Sequence, residues 1–389
     1  MKYAVWMQQV LGYGAQDALR VIEQYGSAKQ FYEAAVREEK LPSWLSTAKR
    51  TRLKKATLSD AEQIADLCRR EGIRILPIES PDYPARLKNI FNPPAVLYIK
   101  GELPPVDERC LLTVVGPRHA SDYGEKAAFS LARRLASAGC IVVSGGAVGI
   151  DGMAHKGALS VGKPTVAVLG GGFHIDYPKG NHALREEIVK NGCLVSEYPP
   201  DFTPTKSTFP QRNRIMSALS LGTVVIEAGE KSGALSTAAH AATQGKDLFV
   251  VPGNPSLPQY AGSNQLLKDG AKPVLNAADI LEEYYAVYRT TLNLDEAAKA
   301  SCTVADFNKA KGEPTRLPKP TAPSVTLKAG AKDLSRLSEA AAALYEADLP
   351  SPFTAEDAAG FTADVLDALM ELQLEGLVEQ LPGGRYKRY

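Results

Sequence analysis

The sequence CIVVSGGAVGIDGMAH, residues 140–155, decides how this chain folds. Its apolar, β-branched run, residues 141–143, predicts a buried strand that stops at the motif SGG, residues 144–146. The small residues that follow, with Gly149 and Gly152 among them, are typical of the start of a helix. A glycine-rich loop between a strand and a helix brings backbone N–H groups close to a ligand, and the helix dipole favours an anion there. We therefore expect phosphate or carboxylate to bind at this loop.

Four further apolar runs repeat the pattern, although any one such loop could serve only a tight turn. Helical patterns lie between the runs, such as the apolar spacing of residues 127–138 that Gly139 closes. Strands alternating with helices predict an α/β fold with a doubly wound, mostly parallel, Rossmann-like sheet. The loops after its strands gather along the edge where such sheets bind ligands. The four runs are residues 111–115, 165–169, 223–227 and 248–251.

The chain has 389 residues, which is long enough for two or three domains. Its composition, 44% hydrophobic and 23% charged, is that of an ordinary globular protein. No stretch of about 18 apolar residues and no signal-peptide core are present, so we expect a cytoplasmic protein with no membrane attachment. The five cysteines form no CxxC pair, which argues against a metal site of the zinc type. A net charge of +1 excludes an overall basic nucleic-acid binder but not a local basic patch.

Residues 1–78 predict a helical domain of the helix-hairpin-helix or SAM-like kind. The stretch LGYGAQDALRVIEQYG, residues 11–26, offers a glycine-flanked turn and a helix that ends at Gly26. Such turns occur in DNA-binding domains and also in many small helical bundles, and both interpretations stay open. A basic cluster follows, expected to be a solvated face. It consists of Lys49, Arg50, Arg52, Lys54 and Lys55.

Three further parts follow along the chain. Residues 79–287 hold the extended Rossmann-like domain, to whose sheet the apolar run 96–99 adds a strand. Residues 288–334 predict a basic, disordered linker, because basic residues and prolines dominate its second half. Residues 335–389 contain two helices around a short one and then a hairpin pattern, which is typical of a winged helix.

Two motifs resemble nucleotide-binding signatures without completing them. SGGAVG, residues 144–149, departs from GxGxxG at its first position, and no acid ends the next strand to hold a ribose. GALSVGKP, residues 157–164, resembles a P-loop but has Pro164 where a magnesium-binding Ser or Thr belongs. We therefore expect no nicotinamide cofactor and no nucleotide hydrolysis. Asp151 and His155 share a helix face, and a capping Asp with a packed His is favoured over an acid–base pair.

Two arginines stand where a helix begins in FPQRNRIMSALSLG, residues 209–222. Pro210 suits the first helical position, so Arg212 and Arg214 would lie in or beside the first turn, where the dipole opposes a cation. A bound anion would explain the arrangement. If both arginines serve that anion, their replacement by alanine leaves the stability of the fold unchanged or slightly higher.

A second anion-ready turn, Lys231-Ser232-Gly233, follows a later strand, and Arg118 follows the first strand of the predicted parallel sheet. Several phosphate-seeking loops on one sheet edge suit a polyphosphate backbone better than one small phosphate. Nearby aromatic residues could stack on bases. They are Phe173, Tyr177 and Phe209.

Six motifs between residues 83 and 280 resemble, in order and spacing, those of the DNA-processing protein A family (DprA, also called Smf). The resemblance implies a non-catalytic protein, without cofactor, that binds incoming single-stranded DNA and protects it during natural transformation. It also implies a homodimer that loads RecA recombinase on that DNA. The motifs are VVGPRHASDYG, VVSGGAVGIDGMAH, VAVLGGG followed by YP, FPQRNRIMSALS, EAGEKSGALSTA and VPGN.

The resemblance further implies a groove for single-stranded DNA. The chain departs from the family pattern at Pro117, where Ser is usual, at Gly146, where Leu is usual, and near Ala234 and Ser236, where bulkier residues are usual. Pro117 removes one backbone donor from the first turn. The expected DNA-binding residues are Arg118, Ser144, Gly145, Gly146, Gly149, Phe209, Arg212, Asn213, Arg214, Lys231, Ser232 and Gly233.

The expected recognition helix of the winged helix, residues 361–375, carries acidic residues and no basic one. A helix in the major groove lies among phosphates and normally carries Lys or Arg. We therefore expect this domain to be a protein-interaction or regulatory module, whose loss leaves most single-stranded DNA affinity intact. The acids are Asp364, Asp367, Glu371 and Glu375.

An enzyme of a different class is the alternative. SGGAVGIDGM partly resembles the GGGxxGxM loop of nucleotide phosphoribohydrolases, which also carry PGGxGTxxE after a later strand. EAGEKSGAL stands in the comparable place here and lacks the paired acid. Release of ribose phosphate from nucleoside monophosphates would distinguish the two functions.

Overall fold

The computed structural model describes residues 1–14, 17–37, 41–176, 181–299, 337–347, 353–358, 365–374, 377–381 and 385–388. These residues fall into two compact units, one within Met1–Leu317 and the other within Pro318–Tyr389. None of the helices in these ranges has the length and apolar character that a membrane crossing requires.

A nine-stranded, mostly parallel sheet forms the centre of the first unit. Its strands are β1 Ile73–Pro77, β2 Val96–Gly101, β3 Leu111–Val115, β4 Ile141–Ser144, β5 Thr165–Leu169, β6 Cys193–Ser196, β7 Gly222–Val225, β8 Asp247–Val250 and β9 Lys272–Pro273. Their order in the sheet is β1-β2-β6-β5-β4-β3-β7-β8-β9. Strands β1, β2 and β6 pair antiparallel, and the pairs from β6 across to β9 are parallel.

The five apolar runs predicted as strands are confirmed, and so is the attachment of residues 96–99 to the sheet. Strands β1, β6 and the two-residue β9 were not predicted. Strand β6, CLVS, is followed by EYPP and not by glycine, so it lacks the glycine-rich loop that identified the predicted strands. Strand β1 follows a helix within a segment whose other elements are helical.

Helices cover both faces of the sheet, because alternate side chains of each parallel strand point to opposite sides. Leu111 and Val115 of β3 belong to one core, whereas Leu112 and Val114 belong to the other. The helices are α1 Lys2–Leu11, α2 Ala18–Tyr25, α3 Ala28–Val36, α4 Thr47–Lys55, α5 Leu58–Arg70, α6 Ala85–Lys88, α7 Asp122–Ser137, α8 Ile150–Leu159, α9 His182–Asn191, α10 Thr208–Leu219, α11 Gly233–Thr243, α12 Ala261–Lys268, α13 Ala278–Tyr288 and α14 Leu294–Ala298.

The N-terminal helices share one continuous core with the sheet, since Val5, Phe31 and Cys68 lie in the same buried cluster as Val195 and Val225. Helix α2 ends at a glycine with φ 83°, Gly26, as predicted. The turn between α1 and α2 also contacts the sheet, because the Gly14 N–H donates to Oε1 of Glu197 at 2.8 Å. The boundary at residue 78 stays a prediction.

The predicted linker starts too early in the chain. Leu292 and the α14 residue Ala297 are buried in the core, and the Asn293 N–H donates to the Ala138 carbonyl at 2.9 Å. Residues 292–298 therefore belong to the folded first unit, because they supply apolar side chains to it. The basic part of the linker, residues 300–334, lies outside the described residues.

Within its described residues, the second unit has three helices and a small antiparallel sheet in the order β10-β12-β11. Its elements are α15 Glu339–Glu346, β10 Phe353–Thr354, α16 Ala355–Ala358, α17 Val365–Leu374, β11 Val378–Leu381 and β12 Arg385–Arg388. Glu371 of α17 accepts hydrogen bonds from the Ser338 N–H at 2.8 Å and the Ser338 hydroxyl at 2.5 Å, which lower the pKa of its carboxyl group. Asp364 and Glu375 lie outside the described residues, and the winged helix stays a prediction.

Candidate nucleic-acid interface

A cavity of about 620 Å³ lies at the carboxyl ends of β3 and β7. Its walls are the turn after β3, the loop after β4, one side of α10 and the turn that leads from β7 into α11. The loops that the sequence predicts to converge therefore do meet at one edge of the sheet. Seven of the twelve expected DNA-binding residues line the cavity: Arg118, Phe209, Arg212, Asn213, Lys231, Ser232 and Gly233.

A cation and an aromatic ring face each other on one wall. The guanidinium carbon of Arg118 lies 5.2 Å from the centroid of the Phe209 ring, within the range of a cation–π interaction. The ring also packs on Gly170, where a Cβ atom would lie 2.9 Å from Cδ1 of Phe209. Arg118 is exposed and Phe209 is half-buried, so both can contact a ligand.

Arg212 is buried and clamps two strand ends together. Its Nη1 donates to the Gly145 carbonyl at 2.6 Å and to the Val168 carbonyl, and its Nε donates to Oδ1 of Asn213 at 3.2 Å. Burial lowers the pKa of the Arg212 guanidinium, and the Asp151 carboxylate opposes that shift. Arg212 therefore shapes the cavity wall and also offers a charge to it.

Arg214 does not reach the cavity, which corrects the sequence interpretation. Its side chain is 2% exposed, and its Nη2 donates to both carboxylate oxygens of Glu197 at 2.9 Å. Helix α10 begins at Thr208, so Pro210 is its third residue. Both arginines then lie in the second turn, where the dipole acts weakly. The expectation that Arg214 can be replaced without loss of stability rested on an unfavourable helix dipole. That argument is wrong, because Arg214 lies in the second turn and pairs with Glu197.

Four more of the expected residues lie at the end of β4 or in the loop after it and do not line the main cavity. The buried Ser144 hydroxyl donates to the Val114 carbonyl at 2.6 Å. Gly146 (φ 65°) is buried, and Gly149 (φ 75°) is the residue before α8 on a neighbouring groove. Gly145 lines a small cavity that adjoins the main one.

The N-termini of α7 and α11 at this edge differ in whether the protein itself places an anion there. At α7, the buried Glu227 carboxylate accepts from the Ser121 N–H at 2.9 Å and the Ser121 hydroxyl at 2.6 Å. The protein therefore supplies its own anion there. At α11, Gly233 faces open space, Ser232 caps the helix, and the exposed Lys231 precedes it. A ligand anion is accommodated better at α11 than at α7.

The structure confirms the packed His155 but not a capping Asp151, because the N-cap of α8 is Gly149 and no side chain caps it. The Asp151 carboxylate accepts from the Ala147 N–H at 3.4 Å, and burial raises its pKa while Arg212 opposes the rise. His155 is wholly buried, its Nδ1 lies 2.8 Å from Oγ1 of Thr165, and burial lowers its pKa to about 3.

Some residues of the cavity were missed, and one aromatic residue was assigned to it wrongly. Asp151 lines the cavity although it was assigned only a capping role. Phe173 lines a separate cavity of about 500 Å³, and Tyr177 lies outside the described residues. Cavity residues that no sequence signal singled out are His119, Met216, Thr237 and Gln259.

Known proteins are similar to this chain over most of the first unit. The family model described as DNA recombination-mediator protein A matches residues 74–285. The DNA processing protein DprA of Bacillus subtilis (strain 168) is 39% identical over 247 residues, which cover 61% of this chain and 83% of that protein.

Two solved structures are also similar. DNA processing protein A (DprA) from Streptococcus pneumoniae has a TM-score of 0.63 and 30% identity, covering 73% of this chain and 98% of that chain. DNA processing protein A from Helicobacter pylori, described with a unique single-stranded DNA binding mode, has a TM-score of 0.50 and 32% identity. That likeness covers 56% of this chain and 97% of that chain.

Proposed function

Because the chain belongs to the DNA recombination-mediator protein A family, also known as DprA or Smf, we propose that it binds single-stranded DNA without strong sequence preference. The observation that carries the proposal is the cavity at the sheet edge, where exposed cations stand beside an accessible aromatic ring. Cations along a groove attract the phosphate backbone, and an aromatic ring stacks on any base because every base has a π-face.

Within the cavity we assign a phosphate to the start of α11 and a base to the wall that holds Phe209. Lys231 and the N–H groups at the α11 N-terminus supply positive potential for the phosphate. Arg118, which lies over the Phe209 ring, bridges the two subsites because its guanidinium can stack and also donate to phosphate. Gly145, Gly146, Gly149, Ser144 and Arg214 act indirectly, by holding the loop and α10 in position.

Membership of the family supports a wider role in recombination. In the proposal, the protein acts in the cytoplasm as a non-catalytic homodimer, protects incoming single strands during natural transformation and loads RecA on them. Its layout is a helical domain, the Rossmann-like DNA-binding domain, a basic linker and a winged helix. Two assays test the role: nuclease protection of a single strand, and the rate at which RecA assembles on a strand that already carries the protein.

Competition between single-stranded and duplex oligonucleotides of the same sequence tests the binding preference. We expect the single strand to bind more tightly, because the cavity offers phosphate donors and a stacking ring but no helix placed to enter a major groove. If about four phosphates are neutralised, log Kd changes with log salt concentration with a slope of about 3 in magnitude. Equal affinity for duplex, or affinity independent of salt, would contradict the proposal.

The nucleotide phosphoribohydrolase alternative has one supporting observation. Asp151, whose pKa is raised by burial, lines the cavity and brings a carboxyl group to a place where a nucleotide could lie. Release of ribose phosphate from nucleoside monophosphates, abolished by Asp151→Asn, would support the enzyme. The DNA-binding proposal expects no such release.

A further inference from the structure

Helix α4 is a basic surface that the cavity does not include. Its nine residues, TAKRTRLKK, contain five cations and no acid, and none of its side chains is fully buried. Most helices of a globular protein form because one face packs into a core. Helix α4 contributes little to the core, so packing does not explain why five of its nine residues are basic.

Hydrogen bonds from three of the cations fix α4 in place. The Arg50 Nε donates to the Leu45 carbonyl at 2.8 Å, and the Arg52 Nη1 donates to the Leu11 carbonyl at 2.8 Å. Lys49 forms an ion pair with Asp17. Lys54 and Lys55 are exposed, and among the residues that the structure describes they form no salt bridge. The helix dipole favours cations in this last turn, which accounts for part of the basic composition.

A chain of contacts places α4 beside the cavity. Arg52 bonds to Leu11, at the start of the turn between α1 and α2. In that turn a Cβ atom on Gly14 would lie 3.7 Å from the Gln211 side chain of α10. Gln211 adjoins Arg212, which lines the cavity. The α1–α2 turn and α10 therefore connect the basic helix to the cavity.

We propose that α4 is a second contact surface for the phosphate backbone, which binds the part of a single strand that continues beyond the cavity. The inference rests on the proposed function and extends it from one site to a path between the cavity and α4. Exposed lysines without an anionic partner suit a mobile, unpaired backbone, since a lysine binds phosphate as a point charge with little demand on geometry. Lys54 and Lys55 carry the contact, whereas Lys49, Arg50 and Arg52 hold the helix.

The test compares Lys54→Ala/Lys55→Ala with a matched control in the full-length protein. The control, Lys163→Ala/Lys268→Ala, removes two exposed lysines near the opposite edge of the sheet, where Lys163 precedes β5 and Lys268 precedes β9. Both variants lose the same net charge, so general attraction changes equally. Alanine is compatible with the helix, which leaves α4 folded.

Affinity is measured for oligothymidylates from about four to about sixteen nucleotides, the range of site sizes of single-strand-binding folds. We expect the Lys54/Lys55 variant to bind the longest strand about tenfold more weakly near physiological salt, with a salt slope smaller by about 1.4. Its affinity for the shortest strand stays within about twofold of the wild type, and the control is unchanged at every length.

Several outcomes would overturn the inference. Unchanged affinity for long strands would show that α4 does not bind DNA. An acidic protein surface would then be the next partner to test. An equal loss at every length would mean that the lysines act on the cavity and not on a continuing strand. A wild-type protein that binds no single strand would contradict both this inference and the proposed function.

Discussion

Glu197 and Arg214 form a buried ion pair that joins three parts of the first unit. The Arg214 Nε also donates to the Asn92 carbonyl at 3.0 Å, and Glu197 accepts from the Gly14 N–H. Both side chains are 2% exposed. A charge left alone in such a place costs far more than the pair itself contributes. Loss of one member of the pair should therefore destabilise the fold more than loss of both.

Replacing Arg214 by methionine is expected to lower the free energy of unfolding by about 3–5 kcal/mol, because Glu197 is left buried without its partner. Urea unfolding measures the loss. The double change Arg214→Met/Glu197→Gln serves as the control, since it removes both charges and should recover part of the stability. A single variant as stable as the wild type would contradict the structural role assigned to Arg214.

Because His155 is buried, we expect the free energy of unfolding to decrease in acid. Burial lowers its pKa from 6.5 to about 3, so between these values the unfolded chain binds a proton that the folded chain excludes. Stability should therefore fall as the pH falls from about 6.5 towards 3. His174 acts with the opposite sign, because hydrogen bonds to Asp201 and Glu71 raise its pKa.

A pH series of melting temperatures checks this prediction on the wild type and on His155→Gln, both of which keep His174. The variant should lose less stability between pH 6.5 and acid pH than the wild type does. Identical slopes in the two proteins would show that His155 is not buried in its neutral form.

At the scale of elements, the sequence predicts strands and loops well and the ends of helices poorly. Apolar β-branched runs followed by glycine identify five parallel strands, because burial on both faces demands such runs. The start of α10 was placed too late, since proline fits anywhere in the first turn and does not mark one position. Nor does any local pattern reveal that Arg214 pairs with Glu197, seventeen residues earlier, because only the fold brings them together.

The loop after β4 packs tightly against the turn after β3, and a substitution at Gly149 tests this contact. Gly149 has φ 75°, and a Cβ atom there would lie 2.5 Å from the carbonyl oxygens of Pro117 and Arg118. Gly149→Ala should therefore cost more than about 1 kcal/mol in free energy of unfolding. Gly233→Ala is the matched control, because no atom lies within 4 Å of its Cβ position. Equal stability of the two variants would show that the loop is not held closed by the turn after β3.

At the scale of the whole molecule, the sequence predicts four parts, and the structure moves one of their boundaries. Residues 292–298 pack on the first unit, so a chain that ends at Tyr288 should melt at a lower temperature than one that ends at residue 299. Burial of a leucine such as Leu292 contributes about 1.5–3 kcal/mol. Equal melting temperatures would contradict the assignment of α14 to the folded unit.

Single-stranded DNA affinity of shortened chains tests the role of the second unit. The chain that ends at residue 299 should keep most of the affinity, because the cavity and α4 both lie within it. A chain that ends at residue 334 retains the basic linker and separates its attraction from any effect of the second unit. If affinity collapses in both shortened chains alike, the second unit itself binds DNA and the interpretation of its acidic helix is wrong.

Salt dependence in a cavity variant tests the central claim most directly. Arg118→Ala/Lys231→Ala removes the two exposed cations of the cavity, with Lys163→Ala/Lys268→Ala as the control of equal charge. Affinity for one single-stranded oligonucleotide is measured over a range of salt concentrations. If the cavity binds the backbone, the slope for the cavity variant is smaller by about 1.4 than that of the wild type, and the control keeps the wild-type slope. Equal slopes in all three proteins would show that single-stranded DNA does not bind in the cavity.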